Sequence, residues 1–149
     1  MNRQESLAII WRKLLIIFVI LLGVSVAITF KPGPFTVPEL VFIVGNIGGY
    51  VGIHKNLNIL SDDEISQMSS SWLGLIVPSF IGGILACLLY LLFISGIISG
   101  QLFPKIVADV VEAGIKKPSS FAIIFHQHAD GAPEYAKLLF WSFVAGCNQ

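Results

Sequence analysis

Residues 40–53 read LVFIVGNIGGYVGI, four glycines and one asparagine inside an otherwise apolar run. Glycines this dense either cradle phosphate or let two helices touch. A phosphate loop needs GxxxxGK[ST], and a dinucleotide turn needs GxGxxG between a strand and a helix; neither spacing occurs here. Instead Gly45 and Gly49 stand four apart, as do Gly48 and Gly52, so a helix through this run carries two neighbouring stripes with hydrogen in place of side chain. Lipid offers no hydrophobic gain for helix association, so close van der Waals contact through such stripes, helped by polar groups such as Asn46, has to hold a bundle together. The run is a helix-packing element, provided that its surroundings are membrane.

Composition says that they are. Of 149 residues, 55% are hydrophobic and 12% charged, against about 25% charged in an ordinary soluble domain, and the mean hydropathy is +0.83. The polar residues gather into short segments between long apolar runs, so the expected fold is an all-α polytopic membrane bundle of about four transmembrane helices, a single domain over residues 1–149.

The first span is expected over about 8–30, its apolar run Leu14 to Phe30 following an amino end that carries Arg3, Arg12 and Lys13. A basic start, an apolar stretch and SVA at 25–27 are also the layout of a cleavable leader; we expect the segment to be retained as a span. Three prolines and a glycine in KPGPFTVPE (31–39) break the helix, and the second span covers 37–53 with Pro38 in its first turn. The third, 72–98, carries Pro78 and repeats the small-residue theme: Gly82 with Ala86, Ser79 with Gly83, and Gly96 with Gly100. A fourth span over 132–147, capped by Asp130 with Pro133 in its first turn, extends only about 24 Å, short enough to leave a re-entrant placement open.

Between the second and third spans, Ser61 and Glu64 fit a capping box, with Asp62 and Asp63 at the positive end of a helix dipole. A helix is expected from Asp62, running on into the third span, and Asp62, Asp63 and Glu64 form a negative patch suited to a basic soluble partner. In the 99–131 segment, Ile106, Val107, Val110 and Val111 lie opposite Lys105, Asp109 and Glu112, the pattern of an interfacial helix. His126, His128 and Asp130 alternate and are weak candidates for metal ligands, with no Cys-x-x-Cys or His-Glu-x-x-His beside them. Cys87 and Cys147 suggest neither a disulfide framework nor a metal site.

Charge before the first span exceeds Lys31 after it, placing the amino end and the 54–71 loop in the cytosol, although Lys105, Lys116, Lys117 and Lys137 then face outward. No nucleophile-base pair, nucleotide loop or ionisable residue in a span interior argues for an enzyme, a cofactor or an ion transporter, and no direct nucleic-acid contact is expected. Two readings follow. One is a non-enzymatic inner-membrane subunit that forms a dimer or tetramer and anchors or signals to a cytosolic protein; the alternative is an oligomeric pore-forming effector. The phrases SGIISGQLFP (95–104) and YAKLLFWSFVAGCNQ (135–149) resemble stretches of small multi-span bacterial inner-membrane proteins, most of them uncharacterised. In general plan, though not in motif, the chain also resembles the membrane subunit of the Kiwa antiviral defence system of bacteria. That likeness implies a four-span subunit working with a cytosolic partner in antiviral defence, and it assigns no residue a role.

Overall fold

In lipid, a helix satisfies every backbone donor and acceptor within its own segment, and the long apolar runs fold accordingly. The computed structural model describes residues 3–29, 36–57, 59–108, 124–125 and 127–148. Among them are five helices, α1 (Arg3–Thr29), α2 (Val37–Asn56), α3 (Asp62–Ser70), α4 (Leu73–Ile94) and α5 (Ala132–Cys147), with two short strands, β1 (Ile106–Ala108) and β2 (Gln127–Ala129), between α4 and α5. Three helices, α1, α2 and α4, are long and apolar enough to cross a membrane. Their outward faces are large apolar side chains, Leu15, Val19, Phe80 and Leu88 each more than half exposed, as expected of a surface whose solvent is hydrocarbon.

α2 lies at the centre, packed against both α4 and α5, which also touch each other. Two apolar clusters close the bundle at opposite ends. Ile53, Leu57 and Leu75 join Ile10, Leu14 and Ile65 at one end, and Val37, Val41, Tyr90, Phe93 and Leu138 meet at the other. α1 joins only the first cluster. Its buried positions, Ser6, Ile10, Leu14 and Ile17, form one stripe at helical spacing. From Phe18 onward no described side chain of α1 is buried.

Several sequence expectations need correction. The helix beginning at Asp62 does not run into α4: Ser71 is extended at φ −109°, ψ 129°, and α4 starts afresh at Leu73. The serine run explains the break, because the hydroxyls of Ser69 and Ser70 bond back to the carbonyls of Ser66 and Gln67, both at 2.8 Å, while Ser71 Oγ accepts from the Gly74 amide at 3.4 Å. At its far end α4 stops at Ile94, four residues before the expected limit, where Gly96 takes φ +72° and supplies the left-handed turn that closes many helices. Gly100 follows at φ +140°, so Gly96 and Gly100 are turn glycines and not a helix-packing pair.

Nor does the connection to α5 hold an α-helix among the described residues. Ile106–Ala108 is a strand, paired antiparallel with Gln127–Ala129 in the register Ile106 with Ala129, Val107 with His128 and Ala108 with Gln127; the remainder of the expected interfacial helix, including Asp109, Val110, Val111 and Glu112, lies outside the described residues. A two-stranded ribbon is marginal alone. Here the Trp141 indole donates to Leu102 O at 2.9 Å, and the Lys105 amide donates to Glu134 Oε2 at 2.7 Å, stitching the segment to α5. α5 is preceded by Gly131 at φ +91° and has no side-chain cap, so Asp130 is not its cap as expected; its carboxylate instead bonds Lys105 Nζ at 2.8 Å.

Candidate partner-docking surface and the seam that supports it

α2 carries the seam along which α4 and α5 pack. Gly45 and Gly49 face α4: a Cβ added at Gly45 would stand 2.6 Å from Gly82 O and 2.9 Å from Gly83 Cα, and one at Gly49 would stand 2.9 Å from Ser79 Cα. Gly48 and Gly52 face α5 instead. A Cβ at Gly48 would lie 3.1 Å from Gly146 Cα and would collide with Phe143 O, and one at Gly52 would reach Cys147 O at 3.0 Å. Gly146 returns the favour from α5, meeting the backbone of Gly45 and Gly49. Ala86 packs on the Gly45 stripe as well. Ser79 Oγ ties α4 to α2 by donating to Asn46 O at 2.9 Å, while Asn46 Nδ2 donates within α2 to Phe42 O at 2.8 Å.

Both glycine stripes are therefore occupied inside one subunit. The dimer or tetramer expected from a spare stripe loses that basis, and so does the pore that draws on the same surface.

Above the first apolar cluster lies α3. Its start is the reciprocal capping box that the sequence announces: the Ser61 hydroxyl accepts from the Glu64 amide at 3.4 Å, and Glu64 Oε2 accepts from the Ser61 amide at 2.8 Å. The Ser61 hydroxyl, which also donates to Glu64 Oε2 at 2.7 Å, and after it the Ser61 amide hold the Glu64 carboxyl below its ordinary pKa. Ile65 is buried against Ile10 and Leu14, with Met68 beside them. The other end of α3 is held by Lys13, whose Nζ donates to Ser69 O at 2.6 Å and stands 5.2 Å from the Trp72 ring centroid. A lysine ammonium at the negative end of a helix dipole is the favourable arrangement.

The consequence is a helix fixed along its lower face with its upper face open. Asp62, Asp63, Glu64, Ser66 and Gln67 are exposed. At the same end of the bundle Arg12, His54 and Lys55 are exposed, and the Trp11 ring is set edge-on to His54 at 4.6 Å. Trp, Lys and Arg at this level are what a membrane–water boundary selects.

The other candidate cluster does not assemble. Among the described residues, no three of His, Cys, Asp and Glu come together as a metal site. His128 sits in β2, Asp130 pairs with Lys105, and His126 lies outside the described residues. Both cysteines are free thiols. No known protein family, curated protein or solved structure matches the chain.

Two features escape the sequence reading. Lys13 reads as topology charge, and nothing local tells that a residue 56 positions on supplies its acceptor. Glu39 reads as part of a proline-rich break, yet it lies inside α2 and lines a cleft of about 550 Å³ with Ile17, Leu21, Phe42, Asn46 and Phe80. Its signal was legible: a carboxylate within the first turn of an expected span.

Proposed function

We propose that the chain is a non-enzymatic, multi-pass subunit of the bacterial inner membrane, with its amino end in the cytosol and α5 as a short fourth span, that presents α3 as a docking surface to a soluble cytosolic protein. The observation that carries this reading is the fixing of α3: a capping box at one end, Lys13 at the other and Ile65 beneath leave Asp62, Asp63 and Glu64 exposed in a defined orientation. A flexible loop between spans needs none of these restraints. A rigid acidic face loses little conformational entropy on binding and is complementary to Lys and Arg on a partner. The likeness of plan to a membrane subunit of antiviral defence makes such a partner's recruitment to the membrane the proposed role.

The test is capture of the partner. Asp62→Asn with Asp63→Asn retains capping ability and helix polarity while removing two charges. Gentle detergent extraction from the native host, followed by mass determination, should find a basic protein on the wild type and lose it from the double variant. Purified protein should leave liposomes tight; dye leakage together with unchanged function in the double variant would reverse the reading in favour of a pore.

A further inference from the structure

Glu64, Gln67 and Met68 stand three and four apart and share one face of α3. With Leu60, Ser71 and Gly74 they border a hollow of about 340 Å³ between α3 and the start of α4. The two helices come close here: a Cβ added at Gly74 would lie 3.7 Å from Met68 Cα. Leu60 and Met68 are half-buried against the first apolar cluster, and both also border a smaller hollow of about 190 Å³ that reaches Gly52 and Pro78. That inner space gives the flexible Met68 thioether room to adjust to an occupant of the outer hollow.

The walls call for a cation on an apolar stem. Leu60 and Met68 offer hydrocarbon, and acceptors stand on either side of them. On the α3 wall, the bonds that Glu64 accepts from the Ser61 hydroxyl and amide both fall on Oε2, at 2.7 and 2.8 Å, which leaves Oε1 as an acceptor. On the α4 wall, Pro78 has no amide hydrogen, so the Gly74 carbonyl lacks the donor that an unbroken helix would bring to it. A purely apolar side chain would desolvate these acceptors and answer neither. An arginine answers both: its methylene stem lies along Leu60 and Met68, and its guanidinium carries five donors in a planar fork, enough for acceptors on two walls. Lysine, a compact charge with three donors, is the poorer fit.

We propose that this hollow is the socket of the docking surface, taking one arginine side chain of the basic partner with its guanidinium on the Glu64 carboxylate. The socket rests on the reading of α3 as a docking surface and gives that surface a centre. Asp62 and Asp63 do not border the hollow; they attract a basic partner over distance, while Glu64, Leu60 and Met68 hold one of its residues in contact.

The chain has two methionines, Met1 and Met68, so methyl-labelled methionine reports on the socket with one resonance and supplies a control in the other. The probe is N-acetyl-arginine methylamide, titrated into purified protein in maltoside micelles with no partner and no added lipid, and followed by nuclear magnetic resonance. The Met68 methyl should shift saturably and the Met1 methyl should stay still. The citrulline analogue, of the same shape without the charge, should give no saturable shift, and the lysine analogue should bind more weakly than arginine. Glu64→Gln, which keeps the capping box, should weaken arginine roughly fivefold, the scale of one partly screened charged contact. Asp62→Asn with Asp63→Asn should change it by less than about twofold, because exposed charges outside the contact are screened. Absence of a saturable Met68 shift, equal binding of citrulline, or arginine binding indifferent to Glu64→Gln would each overturn the socket. So would displacement of arginine by phosphatidylethanolamine, which would give the hollow to a lipid ammonium, or a Met68 shift produced by raising protein concentration alone, which would seat a second copy there. Capture of a partner from the native host is read separately: it persists if only the socket fails, and it is missing, with arginine still bound, if only the docking reading fails.

Discussion

The α2–α4–α5 seam and the attachment of α1 are made of opposite materials. In the seam, backbones come close enough that a single added methyl at Gly45, Gly48 or Gly49 would meet its neighbours at 3.1 Å or less. Along α1, packing goes through its side chains, with buried positions from Ser6 to Ile17 and partly buried Leu21 beyond them, and Gly23 has nothing within 4 Å of an added Cβ. Both are apolar helices in one chain, and both carry glycine. What separates them is the spacing of the small residues: paired four apart they make a groove that another backbone enters, while a lone glycine makes none. The seam therefore defines a rigid body, and α1 is an arm attached to it at one end.

The sharpest way to break this contrast is to put the same residue into both regions. Gly45→Leu should destabilise by about 3 kcal/mol, the upper range for forcing bulk into a packed interior, whereas Gly23→Leu should stay within about 0.5 kcal/mol of wild type. Denaturant titration in mixed micelles, followed by circular dichroism, measures both. Equal effects at the two glycines would erase the distinction.

A second substitution probes the arm. Lys13→Met removes the bond to Ser69 O and the Trp72 contact while keeping an apolar stem. Loss of one charged hydrogen bond should speed amide exchange across 62–70 roughly tenfold and leave the seam helices unchanged. Ser79→Ala, in the seam, should cost only about 0.6 kcal/mol, the average for an interhelical hydrogen bond in membranes, because the glycine contacts around it persist.

The smallest effect concerns pH. Glu64 titrates below its ordinary value of 4.5 because Ser61 donates to it in the folded chain. A depressed carboxyl contributes stability that is present above the unfolded pKa and lost as pH falls through the folded one. Protection at the start of α3, each amide measured against its intrinsic exchange rate at the same pH, should thus be constant from neutral pH down to about 4.5 and fall only in stronger acid, a fall absent from Glu64→Gln.

Much of this architecture can be read from residues in order. The Gly45, Gly48, Gly49 and Gly52 spacing, the small residues Ser79, Gly82, Gly83 and Ala86 facing them, and the Ser61 capping box all act over a single helical turn, so local sequence carries them. Which stripe meets which helix does not follow from spacing: α5, with its short run and Gly146, takes the Gly48 stripe only because the turn glycines at 96, 100 and 131 bring it back onto α2. The β1–β2 pair is illegible for a related reason. Ile106 and Val107 suit a helix face or a strand equally, and what decides is a partner about twenty residues on. The docking face lies between these cases, its acids plain in sequence and its restraint by Lys13 a product of the fold.

The central claim is that both glycine stripes are spent within one subunit, and Gly48→Leu tests it most directly when unfolding and native mass are measured together across a range of protein concentrations. Internal stripes predict a loss of stability that is independent of concentration, with no change in the mass of whatever assembly the wild type forms. Dissociation of that assembly, with the unfolding of the single subunit unaltered, would place the stripe between subunits and contradict the account.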